Sequence, residues 1–535
     1  MASTAAQSTT TLSVRPNLDA TSNLPAIIIF CVLLAAGLLY TARGLYGDVE
    51  TAQVPVRTFL PFLLLAVALL IALAFEFVNG FHDTANAVAT VIYTHSLPPH
   101  VAVIWSGAWN FLGVLFSSGA VAFSIVSLLP VELILQVGSS AGFAMVFALL
   151  IAAIIWNVGT WYLGLPASSS HTLIGSIIGV GLANQLMRSA DGTSGVDWAQ
   201  ATKIGEALLL SPVVGFVCAA ILLLVLKMLV RNPALYRAPE GNRAPPWWIR
   251  GILVLTCTGV SFAHGSNDGQ KGMGLIMLIL IGVVPAAYAL NRAMSDDQVT
   301  QFRAMAHVTV ESLRAEPGGI APPNARAAVT AYVRTRQLSA ETLPAIAALT
   351  EDISNDVGRY GSMSKFPADA VQNARNDMYI LSEAIRFLLK NSDVKLGAQT
   401  KESLVGFKRA LDDSTKFIPL WVKVAVAIAL GLGTMVGWKR IVITVGEKIG
   451  KSHLTYAQGA SAEVVAMSTI AAADMFGLPV STTHVLSSGV AGAMAANGSG
   501  LQMRTIRNLL MAWVLTLPAA ILLSGSLYFV FSRIV

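Results

Sequence analysis

Apolar residues occur along this chain in long unbroken blocks. Blocks of roughly 20 residues lie at 24–42, 59–78, 101–130, 141–165, 204–230, 273–290, 417–438 and 508–531. A helix of this length crosses the hydrocarbon core of a bilayer. The pattern therefore predicts an all-α, polytopic membrane protein.

Charged residues are concentrated in one part of the chain. Of 535 residues, 55% are hydrophobic and 12% are charged, yet residues 292–416 hold 16 basic and 15 acidic side chains. An average soluble protein has ~25% charged residues, so a soluble globule is excluded. We predict that 292–416 is a hydrophilic, helical insert. The sequence does not determine on which side of the membrane this insert lies, because long loops do not follow the positive-inside rule.

The net charge of +6 is explained by membrane topology. A short stretch between two apolar blocks has one acid, Glu240, and five basic residues: Lys227, Arg231, Arg237, Arg243 and Arg250. The positive-inside rule places this loop in the cytoplasm. Basic residues without interleaved aromatics do not indicate a nucleic-acid partner. The three cysteines lie within apolar blocks without a CxxC pair, so neither a zinc module nor a disulfide framework is indicated.

Two polar motifs occur twice. Residues 77–87 align without gaps on 262–272, and 165–171 align on 478–484. The two offsets, 185 and 313, differ by nearly the length of the charged insert. The chain is therefore interpreted as two homologous halves, expected to be inverted, of which the second is interrupted by the insert.

These features divide the chain into seven segments. The first 23 residues form a polar tail, and 24–58 form an extra N-terminal helix and linker, which we expect to be retained rather than cleaved as a signal peptide. The remaining boundaries are 59–230 for the first transmembrane repeat, 231–250 for the basic linker, 251–291 for the start of the second repeat, 292–416 for the insert and 417–535 for the rest of the second repeat.

Duplicated membrane halves with polar motifs in corresponding segments are typical of secondary transporters. In such folds the motif breaks a helix near the bilayer midplane. Residues 59–94 would form about 54 Å of continuous helix, too long for one ordinary crossing, so a break is expected. If helical, the first motif aligns Glu76, Asn79, Asp83 and Asn86 in one stripe, and the second aligns His264, Asp268 and Lys271.

The other repeated motif predicts an anion site. Pro-x-Ser-Ser-Ser-His and Pro-x-Ser-Thr-Thr-His are typical of re-entrant helix starts, whose free N–H groups attract anions. Six hydroxyls could contribute: Ser168, Ser169, Ser170, Ser481, Thr482 and Thr483. Asp83 and Asp268 would repel an anion unless a proton, sodium ion or divalent metal is bound with it. We therefore predict that they bind a coupling cation.

Several polar residues have simpler explanations. His171 and His484 could each hydrogen-bond a backbone carbonyl, and Lys271 could extend to the membrane surface instead of neutralising the anion. Asn110 and Asn157 each follow a tryptophan and are more readily explained by packing near that surface.

The motifs resemble the inorganic phosphate transporter (PiT) family, most closely its bacterial low-affinity permeases. The similarity rests on Asn79-Gly-Phe-His-Asp-Thr-Ala-Asn86, His264-Gly-Ser-Asn-Asp-Gly-Gln-Lys271 and the two Pro-Ser-rich stretches, and covers about 350 residues. It implies proton-driven symport of phosphate, in bacterial members often as a neutral complex with a divalent metal, in the inner membrane.

The resemblance also assigns site residues. It implies that Asp83, Asn86, Asn267, Asp268 and the six hydroxyls line the phosphate and cation sites. Many relatives have Gly-Ala-Asn-Asp in both copies, whereas this chain has His82 in place of the first amide. The difference puts a sodium site in doubt and favours proton coupling.

The expected substrate is inorganic phosphate, and the expected co-transported ions are a proton and Mg²⁺ or Ca²⁺, with no tightly bound cofactor. The protein is expected to lie in a lipid bilayer. The sequence does not determine whether it forms a homodimer. Alternatives within the fold are sodium coupling and a sulfate substrate. Two alternatives belong to other functional classes: a channel or sensor, and an intramembrane hydrolase that uses Ser168 and His171.

Overall fold

Helices form almost all of the regular structure. The computed structural model describes residues 16, 18, 24–54, 59–83, 85–130, 133–134, 138–187, 195–239, 244–391 and 394–534, with the backbone alone at 85 and 86. Within these ranges no β-strand forms, apart from one isolated bridge between Gly450 and Leu501. The predicted all-α class is confirmed.

The first half of the chain contains eight of the helices. They are α1 (Leu24–Thr51), α2 (Leu60–Asp83), α3 (Ala85–Tyr93), α4 (Pro99–Phe116), α5 (Ala120–Val126), α6 (Ser140–Tyr162), α7 (Ser169–Met187) and α8 (Trp198–Leu229). A short 3₁₀ turn at Pro233–Leu235 follows in the basic linker.

The second half begins with the longest helix and contains the insert. Its helices are α9 (Trp247–Val283), α10 (Pro285–Tyr288), α11 (Asp296–Arg314), α12 (Ala325–Thr335), α13 (Thr342–Tyr360), α14 (Ala368–Lys390), α15 (Ala398–Thr415), α16 (Leu420–Thr434), α17 (Lys439–Ile443), α18 (Tyr456–Met475), α19 (Thr482–Ala496) and α20 (Met503–Ile534). A π-helical turn lies at Thr444–Lys448 and a 3₁₀ turn at Met363–Lys365.

Six of the described helical segments are long and apolar enough to cross a membrane. They are Leu24–Thr51, Leu60–Tyr93, Pro99–Phe116, Ser140–Tyr162, Trp198–Leu229 and Met503–Ile534. The bent pair α15 and α16, which meet at 73°, passes the same test. These segments agree with the predicted multi-pass architecture.

The two copies of the Gly-x-x-Asp motif lie in α2 and α9. In the first copy, residue 84 between α2 and α3 lies outside the described part of the chain, so the break expected there stays a prediction. In the second copy the expected break is wrong, because α9 continues through 262–272 for 37 residues. Gly265 packs against the backbone of Asn110 in α4, so this glycine permits close helix packing instead of unwinding.

The short helices that follow the Pro-Ser-rich stretches make reciprocal contacts between the halves. Helix α7 packs along α20, and α19 packs along α8. Helix α2 packs on α16, and α4 packs on α9. This interleaving brings the starts of α7 and α19 to the end of α2, where the candidate site lies. The inverted relation of the halves stays a prediction.

The insert is a bundle of amphipathic helices that share buried apolar contacts with the membrane helices. Its two ends meet where Asn291 N–H donates to Ser414 O at 2.8 Å. The buried apolar residues of α11–α15 form one cluster with those of α5, α9 and α10.

The N-terminal helix contacts both chain segments that flank the insert. Asp48 Oδ2 accepts hydrogen bonds from the Tyr288 hydroxyl at 2.9 Å and from Trp421 Nε1 at 2.8 Å. One carboxylate of α1 therefore holds the chain before the insert and the chain after it.

Candidate functional site

Asp83 joins both Pro-Ser-rich segments. Its Oδ2 accepts a hydrogen bond from Ser169 Oγ at 2.5 Å, and its Oδ1 accepts one from Thr483 Oγ1 at 2.6 Å. Ser169 opens α7, and Thr483 lies in the first turn of α19. A single carboxylate at the end of α2 thus holds two helix starts that are over 300 residues apart in sequence.

Asp268 lies on the other side of Ser169. Ser169 Oγ is 3.4 Å from Asp268 Oδ2 and accepts from Lys271 Nζ at 3.4 Å. Lys271 Nζ is 2.7 Å from Asp268 Oδ2, and neither side chain has exposed surface. Lys271 therefore does not extend to the membrane surface.

His82 links Asp83 to α6. His82 Nε2 is 3.1 Å from Thr160 Oγ1, which also lies within hydrogen-bond distance of the backbone oxygens of Trp156 and Asn157. The other ring nitrogen, His82 Nδ1, is 2.9 Å from Asp83 Oδ1. The imidazole therefore connects Thr160 to Asp83, and the tautomer decides which nitrogen donates.

His264 contacts Asp268, as His82 contacts Asp83. Thr434 donates to Leu430 O and accepts from the Asn110 amide at 3.3 Å, so Asn110 Oδ1 faces His264 Nδ1 at 3.0 Å. The other ring nitrogen, Nε2, lies 3.4 Å from Asp268 Oδ2 and has no hydrogen-bond partner among the described residues.

Three of these side chains could hold a metal ion together. One ligand atom from each of Asp83, His264 and Asp268 lies within 4.8 Å of the others, and all three residues are buried. Two carboxylates and an imidazole suit a divalent cation.

The six predicted hydroxyls divide into three roles. Ser168 and Ser481 accept from the backbone N–H groups of His171 and His484, so they cap their helices. Ser170 donates to Val480 O at 2.6 Å. Ser169 and Thr483 face Asp83, while Thr482 Oγ1 is buried without a partner.

The rings of His171 and His484 lie side by side. Their centres are 4.6 Å apart, and His484 stacks on Trp513 at 4.2 Å. His171 Nδ1 and His484 Nε2 are buried without partners, so the predicted bonds from these atoms to backbone carbonyls do not form among the described residues. Both rings line an apolar cleft between α8 and α20.

The remaining predicted residues lie around the site. The Asn267 amide donates to Leu478 O at 3.1 Å, which ties α9 to the second Pro-Ser-rich segment. Glu76 is fully buried, and it accepts from the Asn79 amide at 3.4 Å. The side chain of Asn86 lies outside the described part of the chain.

Sequence reasoning missed several polar contacts. Asn110, interpreted as surface packing, is fully buried and orients His264. Thr160 orients His82, and Glu463 is a further buried carboxyl group bound by Thr90 and Thr256. The signal for Asn110 and Glu463 was a polar residue in a largely apolar helix; nothing marked Thr160.

Known proteins resemble this chain over most of its length. The sequence model of the phosphate transporter family matches residues 79–524. The low-affinity inorganic phosphate transporter PitA of Escherichia coli (strain K12) is 43% identical over 484 residues, covering 87% of this chain and 96% of the relative. PitB of the same strain is 42% identical over 489 residues, covering 88% and 96%.

A solved structure described as the sodium-dependent phosphate transporter aligns at a TM-score of 0.49 with 20% identity, covering 88% of this chain and all of that one.

Proposed function

The chain belongs to the phosphate transporter family, and from this premise we propose that it is a low-affinity symporter of inorganic phosphate and protons, with phosphate entering as a complex with Mg²⁺ or Ca²⁺. The family resemblance inferred from the motifs is confirmed. The relatives are named as transporters, so the chain is a multi-pass membrane transporter and not an enzyme.

One observation carries the proposal: Asp83 binds Ser169 and Thr483 at the starts of two helices. Helix N-termini present N–H groups and a positive dipole end, which suit a phosphate oxyanion. Ser168 and Ser481 each occupy one of these N–H groups as caps, which leaves the others for the substrate. Phosphate bound there would take over the hydroxyls that now donate to Asp83.

The hydrogen bonds of His82 support proton coupling. His82 Nδ1 lies 2.9 Å from Asp83 Oδ1, so a side chain that can take up and release a proton contacts the carboxylate at the proposed substrate site. A proton gained or lost there would change the charge that a phosphate encounters.

Charge balance supports a metal as part of the cargo. With His82 and His264 neutral, Asp83 and Asp268 would carry two negative charges against the single positive charge of Lys271. Phosphate would add more negative charge in a site screened from water, where such charges repel strongly. A divalent ion between phosphate and the aspartates offsets this repulsion, and hard cations prefer carboxylate and phosphate oxygens. His264 Nε2 is available as a further ligand.

The test is phosphate uptake into proteoliposomes under imposed proton or sodium gradients, with and without EDTA. We expect a proton gradient to drive uptake and EDTA to abolish it. Asp83→Asn and Asp268→Asn should each abolish coupled uptake while the protein still inserts. Asp356→Asn, on the exposed surface of the insert, is the matched control and should transport normally.

Uptake that is unchanged in EDTA and driven by sodium alone would replace this proposal with a sodium-coupled carrier. Equal uptake of labelled sulfate would identify a general oxyanion permease. Normal uptake by both aspartate variants would refute the assigned site.

A further inference from the structure

A cavity lies where the insert meets the membrane helices. Helix α14 contributes Arg375 and Tyr379, the carboxyl-terminal part of α9 contributes Met277 and Ile281, and the chain after α15 contributes Lys416. The residues of α9 that line the cavity run from Gly274 to Ile281, about 9 to 20 Å beyond Asp268 along the helix axis at 1.5 Å per residue. The lining includes none of the residues assigned to the proposed transport site, so the cavity is a separate feature.

Arg375 is buried in the wall of this cavity without an acidic partner among the described residues. Its side chain is 6% exposed, Nη1 donates to Asn376 Oδ1 at 3.3 Å, and Nε has no hydrogen-bond partner in the described part of the chain. The guanidinium lies 4.8 Å from the centre of the Tyr379 ring. Burial lowers the pKa of Arg375, yet a guanidinium remains protonated in proteins. The site therefore holds a buried positive charge that no described carboxylate neutralises.

The nearby acids are already bound by other bases. Glu383, the acid that lines the cavity, accepts from Arg386 Nε at 3.0 Å, and Arg386 also binds Asp197 at 2.8 Å. At the rim, Asp412 is shared by Lys408 at 2.6 Å and Lys416 at 2.8 Å. One carboxylate between two lysines leaves further positive charge beside Arg375.

The polar groups around the cavity are suited to donate to an anion. The Tyr379 side chain lines the cavity beside the guanidinium, and Arg375 Nε has no hydrogen-bond partner among the described residues. The hydroxyl protons of Ser127 and Thr415 go to backbone oxygens, so these two residues add no donor. A planar guanidinium offers parallel N–H groups, which match two oxygens of a tetrahedral oxyanion.

We propose that this cavity binds a phosphate-type oxyanion, either free phosphate or the phosphate of a lipid headgroup, through Arg375, Tyr379 and Lys416. The bound anion would neutralise Arg375 and connect α14 of the insert with α9, the helix that bears Asp268 and Lys271. It would do so without entering the transport path.

The test counts ligands on purified, delipidated full-length protein. If free phosphate is the ligand, equilibrium binding of labelled phosphate should give two sites per wild-type chain and one for Arg375→Gln. Arg334→Gln is the matched control, since this arginine is exposed on α12, and it should keep two sites. If the transport-site proposal is wrong but this cavity binds phosphate, wild type should bind one phosphate and Arg375→Gln should bind none. The failure of the transport-site proposal is thus distinguished from the failure of the cavity proposal.

A second arm addresses the lipid source. Native mass spectrometry after addition of phosphatidylglycerol or phosphatidylcholine would show retention of a phospholipid by wild type and its loss from Arg375→Gln. Arg375→Lys keeps the charge and the fold but loses the planar pair of N–H groups, so binding should weaken at least about tenfold. Equal binding of phosphate and of both lipids by wild type, Arg375→Gln and Arg375→Lys would overturn the proposal, as would binding of chloride in preference to phosphate.

Discussion

The ammonium group of Lys271 is fully buried and lies 2.7 Å from Asp268. Removing one partner of a buried ion pair leaves the other as an uncompensated charge, which costs about 3–5 kcal/mol. We predict that Lys271→Met lowers both the stability and the phosphate uptake of the protein. Adding Asp268→Asn should restore most of the stability but not the uptake.

Thermal unfolding in detergent, together with uptake into proteoliposomes, measures this double-mutant cycle. If Lys271→Met unfolded at the wild-type temperature, Asp268 would not depend on Lys271 for its charge compensation.

The hydrogen bonds of His82 give a second prediction for a single side chain. His82→Asn replaces the imidazole with an amide, which cannot share a proton with Asp83. We expect the remaining phosphate uptake to lose its dependence on an imposed proton gradient. Uptake measured with and without the gradient checks this, and a dependence equal to wild type would remove His82 from the proton path.

Which side chains meet at the site could be predicted from the sequence only in part. The repeated motifs identified Asp83, Asp268 and the two Pro-Ser-rich segments, and Ser168 and Ser481 occupy the expected capping positions. The contact between His264 and Asn110 joins residues 154 positions apart, and no pattern in one chain marks such a pair.

At the scale of helices, α9 and α4 cross closely at Gly265. A methyl group at this position would collide with the backbone of Asn110, whereas at Gly251, on the same helix, it would meet nothing. We predict that Gly265→Ala destabilises the protein by about 1–3 kcal/mol, as overpacking does, and reduces uptake by moving His264. Gly251→Ala should unfold at or above the wild-type temperature, because alanine favours helix.

Comparing thermal unfolding of the two alanine variants is the measurement. Equal stability would mean that the α4–α9 crossing can relax without loss.

The apolar blocks predicted where the helices lie, but they did not predict whether the backbone of a polar motif is helical or unwound. Both copies contain glycine, which serves equally for unwinding and for close packing. Helix α9 runs on through the second copy, where α4 packs against its glycine face. Whether a glycine permits unwinding or close packing depends on which helix lies next to it, and only the tertiary structure shows this.

At the scale of the whole molecule, the insert is closed at its base, since Asn291 binds Ser414. We predict that replacing 295–414 with a short flexible linker leaves phosphate uptake of the same order as wild type. The thermal stability should fall, because the deletion uncovers apolar surface on α9 and α10. Uptake and membrane insertion are measured together, and loss of uptake with normal insertion would show that transport requires the insert.

Helix α9 also relates the two large connections of the chain. It contains 37 residues, about 55 Å of helix, and runs from the basic linker to the insert. Helix α9 is not among the six segments that are apolar enough throughout to cross a membrane, but it is long enough to do so. If α9 crosses once, the two connections lie on opposite faces, and the insert lies outside the cytoplasm. We predict this arrangement.

Labelling of introduced cysteines in intact cells tests it, after Cys31, Cys218 and Cys257 are replaced by alanine. A membrane-impermeant maleimide should react with Gln337→Cys in the insert, and with Ala238→Cys in the linker only after permeabilisation. Both positions are exposed. Labelling of both from one side would contradict a single crossing by α9.

The contacts of Asp48 have a consequence for the order in which the protein is made. The ribosome adds Tyr288 240 residues after this carboxylate and Trp421 373 residues after it. Helix α1 enters the bilayer long before either donor has been synthesised. The two hydrogen bonds of Asp48 therefore form at different times in synthesis, and the second becomes possible only after the whole insert has been translated.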